Sequence, residues 1–194
     1  MRKEPLHNDD IFVVHDFLTP DECARFIATS EAVGYGDAPI TTGDGPILFK
    51  EFRNNERVMI DDPATAAELY ERVRSFLPDD FLGWQPSGVN ERFRYYRYTA
   101  GQKFDWHSDG EYHRGNGEES KYTFMVYLSG GIAGGETLFH LHEGEVRDDV
   151  ADVRVIPVPG TALLFRHDIL HTGAVVTDGI KYVMRTDVMF RPVG

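Results

Sequence analysis

The chain has 194 residues, with 20 Lys or Arg against 32 Asp or Glu, so its formal net charge is −12. An acidic chain does not attract phosphate backbones, which argues against nucleic acid as a general partner. The lone cysteine, Cys23, excludes an intrachain disulfide and a Cys-rich zinc or iron–sulfur site. The length predicts a single domain over 1–194, with its core at about 90–192. No apolar run follows Met1, so we expect a cytoplasmic protein without a membrane anchor.

Two helices are predicted in the first half of the chain. The segment Thr19-Pro20-Asp21-Glu22 offers an N-cap, a proline at the first helical position and a glutamate for a capping box, and Gly34 is a stop signal. The second helix begins at Asp62-Pro63 and ends at Pro78. Its buried face is predicted to consist of Ala66, Leu69, Tyr70, Val73, Phe76 and Leu77.

Most of the remaining chain is rich in aromatic and β-branched residues, which are typical of strands. The predicted strands are Ile11–Phe17, Arg92–Tyr98, Tyr122–Leu128, Glu136–Leu141, Val153–Val158, Ala162–Arg166 and Lys181–Phe190. Many short strands separated by glycine clusters indicate a sandwich or barrel, mainly β, with the helices packed outside one sheet. Tyr35–Asn54 and Asp109–Ser120 are predicted to be flexible loops, the second of them next to a candidate metal motif.

That motif is His107-Ser108-Asp109. Side chains two apart on an extended segment point to the same face. A second histidine, such as His171, would complete a two-histidine, one-carboxylate set, which is typical of non-haem Fe(II) oxygenases. Lys181 and Arg185 follow His171 and supply cations that an acidic co-substrate would need. An isolated His-x-Asp is a weak signal, since such pairs are frequent on surfaces.

The wider pattern resembles the prolyl 4-hydroxylase-type branch of the 2-oxoglutarate- and Fe(II)-dependent dioxygenases. The elements that carry the resemblance are Phe17–Cys23, Arg97-Tyr98, Gly101-Gln102, His107-x-Asp109, Tyr127-Leu128, Gly134–Phe139, Gly160–Phe165, His171-x-Gly173, Val175, Gly179 and Lys181. They occur in the order of the family and cover the chain from about residue 11 onward. The resemblance implies a double-stranded β-helix, or jelly roll, with N-terminal helices on its major sheet.

The resemblance also implies roles for individual residues. His107, Asp109 and His171 become the catalytic Fe(II) ligands, and Lys181 pairs with the distal carboxylate of 2-oxoglutarate. Tyr127 supports that carboxylate, and Tyr98 lines the pocket. O2 is the second co-substrate, and ascorbate is the reductant that this family suggests, although no residue pattern encodes a need for it. Counted from Gly173 and Lys181, the distal ligand is His171 and not His167.

Arg185 is a second candidate for the 2-oxoglutarate anchor. Lys181, Val183 and Arg185 share one face of a strand, so both cations can point inward. Arginine gives a two-pronged contact to a carboxylate and lysine a point charge. We favour Lys181 because its distance from His171 fits the family, while a shared anchor and a structural pairing of Arg185 with Asp187 both stay open.

Outside the shared core, three polar residues are candidates for substrate contacts. Asn55 and Arg57 lie in the segment Arg53–Arg57 just before a strand. Arg94 lies, with Asn90 and Arg92, on alternating positions before Tyr98. We expect hydroxylation of a C–H bond, with a prolyl or related residue of a peptide or protein as the first substrate hypothesis. The alternatives are a free amino acid or small metabolite, a non-catalytic metal-binding jelly roll, and a zinc hydrolase built on the same ligands. The sequence does not encode the oligomeric state.

Overall fold

The computed structural model describes residues 1–43, 45–142, 146, 147, 149 and 151–193, without the side chains of residues 41 and 42. The strands are β1 (Arg2–His7), β2 (Ile11–His15), β3 (Gly36–Asp37), β4 (Ile40–Thr42), β5 (Gly45–Ile47), β6 (Glu56–Asp61), β7 (Trp84–Val89), β8 (Arg92–Tyr98), β9 (Phe104–His107), β10 (Glu119–Tyr127), β11 (Ala133–Gly134), β12 (Thr137–His140), β13 (Val153–Val155), β14 (Ala162–Arg166), β15 (Leu170–Gly173), β16 (Val176–Asp178) and β17 (Lys181–Pro192). The helices are α1 (Pro20–Val33) and α2 (Pro63–Val73), and a 3-10 turn at Arg74–Phe76 follows α2.

A large sheet forms one wall of the molecule. Its strands run in the order β1-β2-β14-β10-β17-β8-β6-β3, and β7 also pairs with β17. The central strand β17 pairs antiparallel with β10 and with β8, and places Lys181 opposite Tyr98 and Arg185 opposite Arg94. Because side chains alternate along a strand, Lys181, Val183 and Arg185 share one face of this sheet.

A smaller sheet, in the order β13-β12-β15-β9, forms the second wall. Between the two walls lies an apolar cluster that includes Phe139 of the small sheet and Tyr127, Phe165 and Val183 of the large one. Antiparallel sheets packed around such an interior are the architecture of a jelly roll, so the predicted fold class is confirmed. The candidate metal residues belong to the small sheet and its adjoining turn.

Both helices cover the outer face of the large sheet, as predicted. Ala66, Leu69 and Val73 of α2 are buried in a cluster with Phe93 and Tyr95 of β8. The alternate residues of β8 face the interior, so this strand separates the two apolar clusters. The helices therefore stabilise the wall that carries Lys181 and Arg185. No helix in the described part of the chain is long and apolar enough to cross a membrane.

Some boundaries differ from the sequence-based expectations. The segment predicted as the loop Tyr35–Asn54 contains the short strands β3, β4 and β5. The predicted strands did not include β1, β7, β11, β15 and β16, and β6 was expected only as a strand of unstated length after the segment Arg53–Arg57. Strands β1 and β7 carry proline and polar residues that weaken a strand signal. Asp109–Ser120 is a loop up to the start of β10 at Glu119. Helix α2 ends at Val73 and the 3-10 turn ends at Phe76, so the helical stretch stops short of the predicted end at Pro78.

Candidate functional site

His107 and His171 face each other across the small sheet. They are directly opposed residues of the antiparallel strands β9 and β15, and their ring centroids lie 4.3 Å apart. Phe104 stacks on His107 at 3.6 Å, and Phe165 meets His171 edge-on at 4.5 Å. The strand register therefore brings the rings together, and aromatic neighbours restrict their rotation.

Each of these histidines is held in one tautomer by a backbone carbonyl. His107 Nδ1 donates to Asp105 O at 2.7 Å, and His171 Nδ1 donates to Ile169 O at 2.9 Å. With Nδ1 carrying the proton, the lone pair of Nε2 is left free in both rings. A backbone acceptor on the far nitrogen is the usual way in which proteins orient metal-binding histidines.

Asp109 completes a cluster with the two histidines. Its carboxylate lies 3.8 Å from His107 Nε2 and 3.6 Å from His171 Nε2. Its backbone N–H donates to His167 O, and Thr123 donates its hydroxyl proton to Oδ2. One ligand atom from each of the three residues lies within 4.8 Å of the others.

The electrostatics favour the protonation states that bind metal. Burial lowers the pKa of His107 to about 3, with the nearby His171 adding to the effect. Burial also lowers the pKa of His171. Burial alone would raise the pKa of Asp109, but Arg185 and the two histidines outweigh it and lower the value. Two neutral imidazoles and one carboxylate can hold an Fe(II)-type ion on one face and leave its other positions open.

Lys181 is buried beside this cluster. Its Nζ donates to Gly135 O at 2.6 Å and lies 5.1 Å from the ring centroid of Tyr98 and 5.7 Å from that of Tyr127. No carboxylate in the described chain lies within ion-pair distance of this ammonium group, and burial lowers its pKa to about 8 although Glu136 opposes the shift. A buried cation without a counter-ion suits a bound carboxylate.

The two tyrosines differ in their access to the cavity. Tyr98 lines it, as expected. Tyr127 is fully buried and bonds to the Thr137 hydroxyl at 2.7 Å, and Thr137 is the member of this pair that lines the cavity. Thr137, and not Tyr127, is therefore the residue of this pair that can contact a ligand in the cavity. The sequence-based prediction did not identify Thr137.

Arg185 lines the same cavity but is already paired. Its Nη2 lies 3.1 Å from Asp109 Oδ2 and 3.1 Å from Asp187 Oδ1. Asp187 also accepts from Arg94, whose Nη1 lies 3.1 Å from Oδ2. The pairing with Asp187 that the sequence left open is thus present, and a second pairing, with Asp109, accompanies it.

The cavity has a volume of about 420 Å³ and reaches from the histidine cluster to strand β6. Arg57 and Arg94 line it, whereas Asn55 does not. Asn55 is buried and accepts a hydrogen bond from Arg53 Nε at 2.9 Å, so it orients Arg53, which does line the cavity. The sequence-based reasoning did not single out Arg53 itself, although the run of polar residues around it was the available signal.

Two further histidines, His113 and His167, do not line the cavity. His167 is buried, and its Nδ1 donates to Thr123 Oγ1 at 3.0 Å while its Nε2 accepts from Ser120 Oγ at 2.9 Å. His113 forms a second carboxylate–histidine cluster with Glu111 and Glu119, but this cluster lies largely exposed. His113 and Lys121 already pair with these carboxylates, which is typical of a surface ion-pair group.

Comparison with known proteins agrees with this geometry. Residues 93–186 match the model of the 2OG-Fe(II) oxygenase superfamily. The chain is 29% identical over 181 residues to "Probable prolyl 4-hydroxylase 4" of Arabidopsis thaliana, covering 84% of this chain and 58% of that protein. It is 28% identical over 197 residues to "Prolyl 4-hydroxylase 2" of the same plant, covering 88% and 64%. The chain thus spans less than two thirds of the length of these relatives.

Solved structures share the fold at low sequence identity. The viral collagen prolyl hydroxylase of Paramecium Bursaria Chlorella virus-1, in complex with 2OG, has a TM-score of 0.61 at 21% identity, covering 93% of this chain and 96% of that one. A prolyl hydroxylase from Trichoplax adhaerens, in complex with a hypoxia inducible factor peptide fragment, has a TM-score of 0.67 at 14% identity, covering 93% and 83%. The match over residues 93–186 and the prolyl 4-hydroxylase relatives support a prolyl 4-hydroxylase-like 2OG-Fe(II) oxygenase, and the solved structures show that the chain shares their fold.

Proposed function

We propose that this protein is an Fe(II)- and 2-oxoglutarate-dependent dioxygenase that hydroxylates a C–H bond of a prolyl or related residue in a peptide or protein. The observation that carries the proposal is the arrangement of His107, Asp109 and His171, whose free donor atoms converge beside a buried, uncompensated Lys181. The prolyl 4-hydroxylase relatives support the substrate class.

The residues of the cluster have complementary tasks in this proposal. His107 and His171 present Nε2 to Fe(II), and Asp109 adds its carboxylate, with Thr123 and Arg185 holding it in place. When bound, Fe(II) supplies the O2 chemistry that couples oxidative decarboxylation of 2-oxoglutarate to insertion of one oxygen atom into the substrate.

Lys181 and Thr137 hold the co-substrate. Lys181 meets the distal carboxylate of 2-oxoglutarate with a charge that the fold leaves uncompensated, and Thr137, backed by Tyr127, adds a hydroxyl group from the neighbouring sheet. The aromatic rings of Tyr98, Phe104 and Phe165 shield the site from water. Low local dielectric then strengthens the lysine–carboxylate contact. The cofactor set of the proposal is therefore Fe(II), 2-oxoglutarate and O2.

An anaerobic titration tests the cofactor part of this proposal. Fe(II) and then 2-oxoglutarate are added to the metal-free protein while the visible metal-to-ligand charge-transfer band is recorded. We expect a band in the parent protein, none in His171→Ala and a weaker one in Lys181→Ala. His142→Ala is the matched control, since the His142 side chain is 77% exposed. Iron that binds without producing a band in the parent protein would refute the proposal.

The substrate part has a separate test. Proline-containing peptides and free proline derivatives are incubated with the loaded enzyme in air, and products are analysed by mass spectrometry. A gain of one oxygen atom on a prolyl residue, together with stoichiometric succinate, supports peptide hydroxylation. Oxidation of the free derivatives alone would contradict peptide hydroxylation and indicate a small-molecule substrate.

A further inference from the structure

The cavity carries a surplus of positive charge that the proposed metal and co-substrate do not use. Five cationic side chains line it: Arg53, Arg57, Arg94, Lys181 and Arg185. Its acidic lining residues are Asp109, which pairs with Arg185, and Glu111, which pairs with Lys121. The whole chain is acidic, so this concentration of cations opposes the overall charge of the molecule.

Arg57 has no counter-ion among the described residues. It is half-buried on β6, opposite Tyr96 of β8, and its side chain forms no hydrogen bond or ion pair with the described residues. Burial lowers its pKa, and the charges of three neighbouring arginines lower it further, although Tyr96 opposes the change. A desolvated cation without a partner is costly, and a bound anion would offset that cost.

Arg53 is a second incompletely paired cation in the same region. Its side chain belongs to a residue that is only 6% exposed, and its guanidinium carbon lies 4.1 Å from the ring centroid of Phe104 and 4.7 Å from that of Tyr96. Nε donates to Asn55, but the buried Nη2 meets no acceptor at hydrogen-bonding geometry. The rings fix the guanidinium plane, and Nη2 is a donor without an acceptor beside the cavity that Arg53 lines.

These groups lie apart from the expected anchor of the co-substrate. Lys181 is on β17, whereas Arg57 is on β6, two strands further along the sheet. At the usual spacing the two backbones are about 10 Å apart. A carboxylate at Lys181 therefore leaves Arg57 and Arg53 free for a second anion. Arg94, which shares Asp187 with Arg185, is on β8, the strand between β17 and β6.

Resting on the proposed function, we propose that Arg57, Arg53 and Arg94 form an anion-binding subsite that selects a primary substrate carrying a carboxylate. The same chemistry is offered by an acidic side chain next to the reacting residue of a peptide and by the free carboxylate of an amino acid. The planar guanidinium groups suit a carboxylate because they can donate two parallel hydrogen bonds to it.

The test uses matched acids and amides. The protein is loaded with Fe(II) and saturating 2-oxoglutarate under nitrogen and titrated calorimetrically with two pairs of probes. One pair consists of end-blocked Ala-Pro-Glu-Ala and Ala-Pro-Gln-Ala peptides, the other of N-acetylproline and N-acetylprolinamide. We expect the acid of at least one pair to bind ten- to a hundredfold more tightly than its amide, as for hydrogen bonds to charged groups. The pair that shows the preference identifies the source of the carboxylate.

Variants assign the preference to the subsite. Arg57→Gln is expected to reduce the preference for the acid at least tenfold, and Arg57→Lys to retain part of it. Arg191→Met is the matched control, since Arg191 is exposed on β17 and does not line the cavity. Equal binding of acids and amides by the parent protein would overturn the proposal, as would an acid preference that Arg57→Gln leaves unchanged.

The charge-transfer band separates this test from that of the proposed function. An unchanged band during the titration shows that the probe does not displace 2-oxoglutarate, so any preference belongs to the second site. A normal band without an acid preference would overturn the subsite alone. Absence of the band before any probe is added would refute the proposed oxygenase function and, with it, the subsite.

Discussion

Arg185 and Asp109 form a buried ion pair, with Nη2 3.1 Å from Oδ2. The pair connects the centre of the large sheet to the metal-binding cluster of the small one. Asp187 Oδ1 lies 3.1 Å from the same Nη2 atom, so Arg185 already has two carboxylates beside it. Lys181 has none within ion-pair distance in the described chain. This difference in pairing supports Lys181 as the anchor of 2-oxoglutarate.

The first prediction follows from the uncompensated charge of Lys181. Lys181→Met should raise the free energy of unfolding of the metal-free protein by roughly 2 kcal/mol at pH 7. The estimate combines about 3 kcal/mol for a lysine pKa lowered by burial with the loss of about 1 kcal/mol for its hydrogen bond to Gly135 O. Urea unfolding measures the difference, with Lys50→Met as a surface control that should change stability by less than about 0.5 kcal/mol. A clearly destabilised Lys181→Met would contradict the prediction.

The same substitution has a pH signature. Below pH 8 Lys181 is protonated in both the folded and the unfolded chain, so the full penalty is present. Between about 8, its folded pKa, and 10.5, its ordinary value, the folded chain loses the proton first and the penalty declines. The advantage of Lys181→Met should therefore shrink over this interval and give way, above it, to a loss of about 1 kcal/mol from the missing hydrogen bond. A stability difference that is constant from pH 7 to 10.5 would rule out a lowered pKa.

The parts of this site that the sequence predicts are those that depend on short-range periodicity. Lys181, Val183 and Arg185 all line the cavity, as the period of two requires. Strand β8 and strand β14 have the predicted bounds, because both are dense in aromatic or β-branched and aliphatic residues. In contrast, the pairing of Asp109 with Arg185 spans distant parts of the chain, and nothing in the local sequence of either residue encodes it.

Register and orientation account for the remaining differences. Asn55 and Arg53 stand two apart in a polar segment, yet Arg53 faces the cavity and Asn55 supports it from behind. Tyr127 and Thr137 are joined by a hydrogen bond that requires both sheets to be in place. Tertiary packing determines which side chain faces the cavity, so the sequence predicts the segment but not the side chain that reaches the ligand.

The second prediction concerns the chain of hydrogen bonds behind Asp109. Thr123 donates to Asp109 and accepts from His167, which in turn accepts from Ser120. Thr123→Val preserves the shape of the side chain but leaves Oδ2 without this donor, so Fe(II) affinity of the metal-free protein should fall by about ten- to a hundredfold. Anaerobic calorimetry provides the measurement. Thr177→Val, at an exposed position of β16, is the control, and equal affinity of Thr123→Val and the parent protein would show that the hydroxyl does not position the carboxylate.

The third prediction concerns the contact between the two helices. Glu22 closes the capping box of α1 by accepting from Thr19 N at 2.8 Å, and its other oxygen lies 2.6 Å from Arg72 Nη2 of α2. Hydrogen bonding to Arg72 lowers the pKa of Glu22 to about 2. Glu22→Gln keeps the shape but weakens the contact to that of a neutral group, so we expect a loss of about 1 kcal/mol at pH 7.

Acid should remove this difference. Because the folded pKa of Glu22 lies below its ordinary value of 4.5, the stabilisation is complete above pH 4.5 and declines as the pH falls towards 2. Urea unfolding of the parent protein and Glu22→Gln at several pH values tests this. Glu68→Gln is the control, since Glu68 pairs with the same arginine but is 60% exposed. A loss from Glu68→Gln as large as that from Glu22→Gln would mean that burial and capping add nothing.

The last prediction concerns Gly160, where the connection into α1 meets the large sheet. Its carbonyl oxygen accepts from the backbone N–H groups of Phe17 and Leu18, and its own N–H donates to Tyr127 O. Its φ of +77° is unfavourable for other residues, and a Cβ atom would lie 2.2 Å from Leu18 O. Gly160→Ala must therefore break the backbone contacts or distort β14, and should cost more than about 2 kcal/mol.

Gly115→Ala provides the comparison for this position, because nothing lies within 4 Å of an added Cβ and its φ is not in the left-handed region. We expect that substitution to change the free energy of unfolding by less than about 0.5 kcal/mol. Soluble expression and urea unfolding of the two variants measure the effect. If Gly160→Ala were as stable as Gly115→Ala, the contact between Gly160 and Leu18 could not be the constraint that fixes α1 against the sheet. A large loss of stability confined to Gly160→Ala would show that the close approach of the two backbones requires glycine at this position.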